Sequence, residues 1–144
     1  MKCKLVLILL CAVVLLGGAG AFLPTPYPVA PEPEQLEISM VMRPDWDAEA
    51  APLYEVVTDQ VDLDALAQLL SACEVSRLPT DQNGYSMETV RYEISVLYGE
   101  QPLHFVLGEE SFVYESGPWC HRLLDAQPLI DALDRAIAAN GTQA

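Results

Sequence analysis

An α+β fold is predicted for this chain, with an antiparallel meander sheet and two amphipathic helices packed on one of its faces. Two periodicities carry the prediction. Residues 90–123 alternate apolar and polar side chains in four short runs broken by Gly- and Pro-containing turns, the spacing of antiparallel hairpins. Leu63, Leu66, Ala67 and Leu70 recur at helical spacing before that region, and Leu129, Ile130, Leu133 and Ile137 after it. A chain of 144 residues that is 51% hydrophobic has room for one domain with a real core. It is too short for a TIM barrel and too apolar to be wholly disordered.

The chain opens with an export signal. Lys2 and Lys4, the only lysines, precede an unbroken apolar run from Leu5 to Leu16, and small residues follow to Ala21. A positive start, an apolar middle and a small-residue end make a signal peptide over residues 1–21. Ala19-Gly20-Ala21 fits a cleavage site, which would start the mature chain at Phe22. The alternative is an uncleaved anchor over residues 5–23, just long enough to cross a bilayer. Either way residues 22–144 are expected to be secreted or extracytoplasmic. Cys11 is not read as a lipidation site, because Leu10 stands where a lipobox has a small residue.

Residues 22–35 hold five prolines and read as an extended, semi-rigid linker. A single α+β domain is expected over 36–140, with 141–144 as a flexible tail. Leu36 to Met42 alternate as a first strand, stopped by Arg43-Pro44-Asp45. A loop holding Trp46 leads to a second strand, Leu53 to Thr58. Asp59 or Asp62 caps the first helix, which ends near Cys73. Val75 to Leu78 is a short strand before Pro79. Thr80 to Gly84 is a turn in which Asn-Gly favours positive φ. Strands follow at Val90–Tyr98, Leu103–Leu107, Phe112–Glu115 and Trp119–Leu123. Asp125 caps the last helix, Pro128 fits its first turn, and Asn140-Gly141 stops it.

The net charge is −14, and it becomes −16 once the leader with its two lysines is removed. Such a surface repels nucleic acid and anionic lipid. No nucleic-acid partner is therefore expected, and membrane contact is expected only through the N-terminal segment if it stays uncleaved.

No catalytic motif is present: there is no G-x-S-x-G and no H-E-x-x-H. Glu109 and Glu110 are neighbours in a turn and cannot face each other across a cleft. Asp59, Asp62 and Asp64 lack the Gly and Glu of a calcium loop, and helix capping explains them. Cys120-His121, with His104 and Cys73, lacks the paired spacing of a zinc site. Neither a metal nor a cofactor is expected. Cys73 and Cys120 are the disulfide candidate of the exported part; the other reading is two buried thiols.

His104 runs out of phase with Leu103, Phe105 and Leu107, which puts it on the open sheet face; His121 shares a face with Trp119 and Leu123. Of the meander aromatics, most are expected in the core. Tyr92, Tyr98 and Trp119, with His104, are the candidates for a binding patch on the uncovered face.

In layout the chain resembles the small uncharacterised exported proteins of Gram-positive bacteria. The likeness rests on the leader, the Pro-rich spacer, the helix Val61-Asp62-Leu63-Asp64-Ala65-Leu66 before a meander, and the run Trp119-Cys120-His121-Arg122-Leu123-Leu124-Asp125 leading into a helix. It implies no activity and carries no catalytic residue across. Two functions remain. One is a non-catalytic exported domain binding a protein, peptide or envelope component. The other is a small extracytoplasmic hydrolase or ligand-binding protein using His104 or His121, which requires a histidine within reach of a Ser, Asp or Glu beside a pocket.

Overall fold

The alternation between residues 90 and 122 becomes the centre of a seven-stranded antiparallel sheet in the computed structural model. The structure describes Gly20 and residues 23–26, 35–42, 52–98 and 101–141. The expected leader, most of the linker, the loop holding Trp46 and the tail at 142–144 lie outside the described residues.

Among the described residues, the strands and α-helices follow in chain order: β1 (Thr25–Pro26), β2 (Gln35–Met42), β3 (Leu53–Val56), α1 (Leu63–Ser71), β4 (Glu74–Val75), β5 (Thr80–Asp81), β6 (Val90–Tyr98), β7 (Gln101–Gly108), β8 (Phe112–Tyr114), β9 (Trp119–Arg122) and α2 (Gln127–Gly141). The large sheet has the order β3-β2-β6-β7-β8-β9-β5, and β1 pairs with β4 in a separate ribbon. Consecutive strands β6 to β9 are neighbours, which is the expected meander. The two short additions, β1 and β5, were not legible. Both are two residues long and alternate too briefly to give a period.

β1 also corrects the linker. Thr25 pairs with Val75 and Pro26 with Glu74, so this part of the Pro-rich stretch lies against the domain. A proline is tolerated there because β1 is an edge strand of the two-stranded ribbon.

Strand alternation sorts the side chains onto two faces. On one, Ile38 of β2, Ile94 and Val96 of β6 and Phe105 and Leu107 of β7 are fully or almost fully buried. They meet Leu66 and Leu70 of α1 and Leu129 and Leu133 of α2 in one core. Both helices therefore cover the same face, as expected. Each of these leucines adds about 1.5–3 kcal/mol of burial. Leu63, predicted on the α1 stripe, is 40% exposed instead, because it sits at the first position of the helix.

Asp62 caps α1: its Oδ1 accepts from Ala65 N at 3.1 Å. Asp59 belongs to a 3-10 turn at Thr58–Gln60. At α2 the Ala126 carbonyl accepts from both Leu129 and Ile130, so Ala126 rather than Asp125 is the cap that precedes Gln127. Pro128 sits in the first turn, where no N–H is needed.

The other face of the sheet has its own smaller cluster: Val41, Val90, Val106, Phe112 and Cys120. Val90 joins it because the β6–β7 register shifts between Val90 and Tyr92, which turns Val90 away from the helices. Two 3-10 turns, Gln82–Gly84 and Met87–Thr89, pass over this cluster. The first replaces the expected positive-φ turn at Asn83-Gly84. Asp81 Oδ1 accepts from Asn83 N at 2.9 Å and closes it locally, and among the described residues Gly117 is the glycine with positive φ.

Candidate functional site

The four residues proposed for a binding patch do not share a surface. Tyr92 is 3% exposed and belongs to the core under the helices. Its hydroxyl donates to Asp134 Oδ1 of α2 at 2.6 Å. Tyr98 ends β6 opposite Gln101, and its side chain lies outside the described residues. Trp119 is 60% exposed, but it alternates in phase with His121, whose partner Val113 faces the helices. Of the four, only His104 is placed on the face away from the helices. The error for Tyr92 is physical: a tyrosine in a buried row is tolerated when its hydroxyl finds a partner, and Asp134 was not visible as one.

The open face is built by other residues. His104 of β7 lies opposite Ser95 of β6 and Tyr114 of β8. Its ring stacks on Tyr114 with centroids 4.9 Å apart, and its Nδ1 shares a hydrogen bond with Ser95 Oγ at 3.2 Å. Tyr54 of β3 projects on the same side, 54% exposed, and donates to Glu93 Oε1 at 3.5 Å. Tyr54, His104 and Tyr114 thus form a row of rings across the sheet, with Ser95 and Glu93 between them. Tyr114 was legible in principle, because a residue across from His104 must share its face. Tyr54 was not, because the pairing of β3 with β2 is set by a loop with no register signal.

Beside this row the sheet face deepens into a cavity of about 400 Å³. Val106 and Phe112 are its floor, Glu93 and Tyr114 one wall, and Tyr85 and Met87 the other. The Tyr85 ring lies 4.6 Å from that of Phe112. Burial raises the pKa of the Tyr114 phenol, with the Glu93 carboxylate adding to it. Burial likewise raises that of Tyr85, helped by Cys120 and Glu110 and opposed by Arg122. Both phenols therefore stay protonated and able to donate.

Tyr85 also borders a second hollow, of about 410 Å³, on the β9 side. Arg77, Leu78 and Pro79 line it from the chain between β4 and β5, and Arg122 and Leu124 from the end of β9.

Cys73 and Cys120 are free thiols and stand in different clusters. Cys73 follows α1 on the helix side; its thiol donates to Leu69 O at 3.4 Å. Cys120 faces the other side of the sheet and donates to Thr80 O at 3.5 Å. The disulfide expectation is thereby corrected: β9 turns Cys120 away from the helices, so the sheet itself lies between the two sulfurs. Burial pushes the Cys73 thiol up to about 11, with the Asp125 charge adding to it. Burial and the Asp81 charge raise Cys120 as well.

His121 Nδ1 lies 2.7 Å from the Ser76 carbonyl and fastens the β4–β5 segment to β9. Among the described residues no three His, Cys, Asp or Glu side chains stand together as a metal site. Among them also, no helix is long and apolar enough to cross a membrane. No family model, curated protein or solved structure matches the chain.

Proposed function

We propose that the domain is a non-catalytic, extracytoplasmic binding module that takes a peptide or an envelope component on the uncovered sheet face. The observation that carries this is the row of Tyr54, His104 and Tyr114 running up to the 400 Å³ cavity. Stacked rings offer flat apolar area at little entropic cost, and phenol, imidazole and carboxylate groups between them fix orientation. The cavity size lies within the range of sites that accept a side chain or a small ring. The export signal in the sequence supports an outer-surface partner.

The test is a titration of isotope-labelled protein with short peptides and soluble envelope fragments, followed by NMR. Saturable shifts around Tyr54, His104 and Met87 that vanish in Tyr114→Ala support the reading. Shifts confined to the helix-covered face, or none at millimolar ligand, overturn it.

The Ser95–His104 contact favours a second reading, a small hydrolase, because a histidine at 3.2 Å from a serine hydroxyl can take its proton. Against it, the pair are cross-strand neighbours on an open face, and among the described residues no carboxylate bonds the imidazole to orient it. Activated-ester hydrolysis lost in Ser95→Ala supports this reading, and turnover unchanged in that variant removes it.

A further inference from the structure

The hollow on the β9 side has a chemistry opposite to that of the rest of the molecule. The chain carries 21 acidic residues and seven basic ones. Two of its five arginines, Arg77 and Arg122, nonetheless line this one hollow. By contrast Arg91 pairs with Asp134 at 2.7 Å, and Arg135 Nε donates to the Asp131 carbonyl at 3.0 Å. Among the described residues, neither Arg77 nor Arg122 has a carboxylate within ion-pair distance. Arg122 also borders a polar hollow with Glu109 and Asp125, but neither acid pairs with it.

The walls are held rigidly. Ser76 N donates to Arg122 O at 2.9 Å, and Leu124 N donates to Glu74 O at 3.0 Å. Ser76 Oγ accepts from Arg122 N at 3.0 Å and donates to Leu78 O at 3.1 Å, which closes the turn after Arg77. These bonds fix the backbone of both arginines and leave their side chains to the hollow. They also hold Leu78 and Leu124 outward, at 55% and 46% exposed. With Pro79 and Tyr85 they make an apolar wall next to two guanidinium groups.

We infer that this hollow binds a small amphiphilic carboxylate, with its head between Arg77 and Arg122 and its apolar body on Leu78, Pro79 and Leu124. A guanidinium matches a carboxylate through parallel N–H donors. The apolar wall selects a ligand that carries a hydrocarbon or aromatic body behind the charge. A volume of about 410 Å³ admits a short chain or one ring system, not a folded partner. A negative head, there a phosphodiester, also stands at an anionic membrane surface, but the whole molecule at −14 is repelled by such a surface, whereas one monomeric anion meets chiefly the two local cations. The site is separate from the ring row, lying across Tyr85 from it, and does not depend on the function proposed above.

The probe is octanoate below its micellar concentration, titrated into the purified protein and read by NMR at the arginine side chains. Saturable shifts at Arg77, Leu78 and Leu124, absent with octylamine, are expected. Arg122→Gln should weaken binding about tenfold, and Arg122→Lys less, because lysine keeps the charge but not the fork. Arg135→Gln should leave it unchanged. Leu78→Asp alters an exposed position and should abolish binding without loss of the native near-UV spectrum. Three outcomes overturn the inference: no saturable shift at either arginine, equal affinity in the Arg77→Gln/Arg122→Gln double variant, or binding to phosphatidylglycerol vesicles without binding to monomeric octanoate.

Discussion

The Tyr92 hydroxyl lies 2.6 Å from Asp134 Oδ1 and ties strand β6, next to the middle of the sheet, to α2. Arg91 Nη2 reaches the same oxygen at 2.7 Å, so one carboxylate receives a buried phenol and an exposed guanidinium. The phenol is pushed up from its ordinary 10.0 to about 12, first by burial, then by its bond to Asp134 and that group's charge; Arg91 opposes the shift. A folded-state value above the unfolded one stabilises fully below pH 10 and is lost as pH rises toward 12. Tyr92→Phe should therefore show a smaller fall in urea midpoint between pH 10 and 12 than the native chain. At neutral pH the variant should lose about 1.5–3 kcal/mol, the range for a hydrogen bond to a charged group. Equal alkaline slopes in the two proteins would place the loss elsewhere, for instance at Tyr85 or Tyr114.

Gly108 is required by a close backbone approach. A Cβ there would stand 2.3 Å from the Thr89 carbonyl oxygen, on backbone that cannot rotate away. The same residue anchors the β7–β8 turn: its N–H donates to Ser111 Oγ, and Ser111 Oγ donates back to its carbonyl, both at 3.1 Å. Gly108→Ala should cost about 1–3 kcal/mol or more, as overpacking does. Gly84→Ala is the control, since a Cβ there meets nothing within 4 Å. Its denaturation midpoint should be unchanged or slightly higher, through a stiffer unfolded chain. Equal effects at the two positions would show that the Thr89 contact is relieved at no cost.

Where a period ran long enough, the sequence was legible. The meander follows from alternation and both helices from apolar residues at helical spacing, and Asp62 was one of two caps the spacing allowed. Of the two-residue strands, β1 and β5 gave no signal, and β4 was read at Val75–Leu78, a span that shares only Val75 with the strand at Glu74–Val75. The binding candidates failed for a different reason. Alternation says which residues share a face within a strand but not which face is covered, so Tyr92 and Trp119 could be assigned to either. Tyr85 reaches the open face from the bend between two 3-10 turns, a segment that has no facing rule at all. That Val90 joins the second cluster depends on the register shift between Val90 and Tyr92, which no pattern announced.

The two acids offered as helix caps can be told apart by measurement. Asp62 Oδ1 accepts from Ala65 N, whereas Asp59 lies in the preceding turn. Asp62→Ala should cost about 1 kcal/mol in a urea titration, as loss of a cap does. Asp59→Ala should stay within about 0.5 kcal/mol, as surface changes do. The reverse order would move the start of α1 by one turn.

The thiols give a prediction in which covalent state and topology are tested together. Cys73 and Cys120 are both buried and lie on opposite faces of the sheet. A thiol must ionise to react, and both values are raised, that of Cys73 to about 11. Iodoacetamide at pH 8 should therefore modify neither residue quickly in the folded chain. In urea, with no reductant added, both should be alkylated completely, and peptide mass spectrometry should find each carrying its own label. A linked peptide pair containing Cys73 and Cys120 would mean that the segment from α1 to β4 and strand β9 place their sulfurs on one side of the sheet. Such a pairing would overturn the facing of β9, and with it the position of Arg122 in the hollow beside Tyr85.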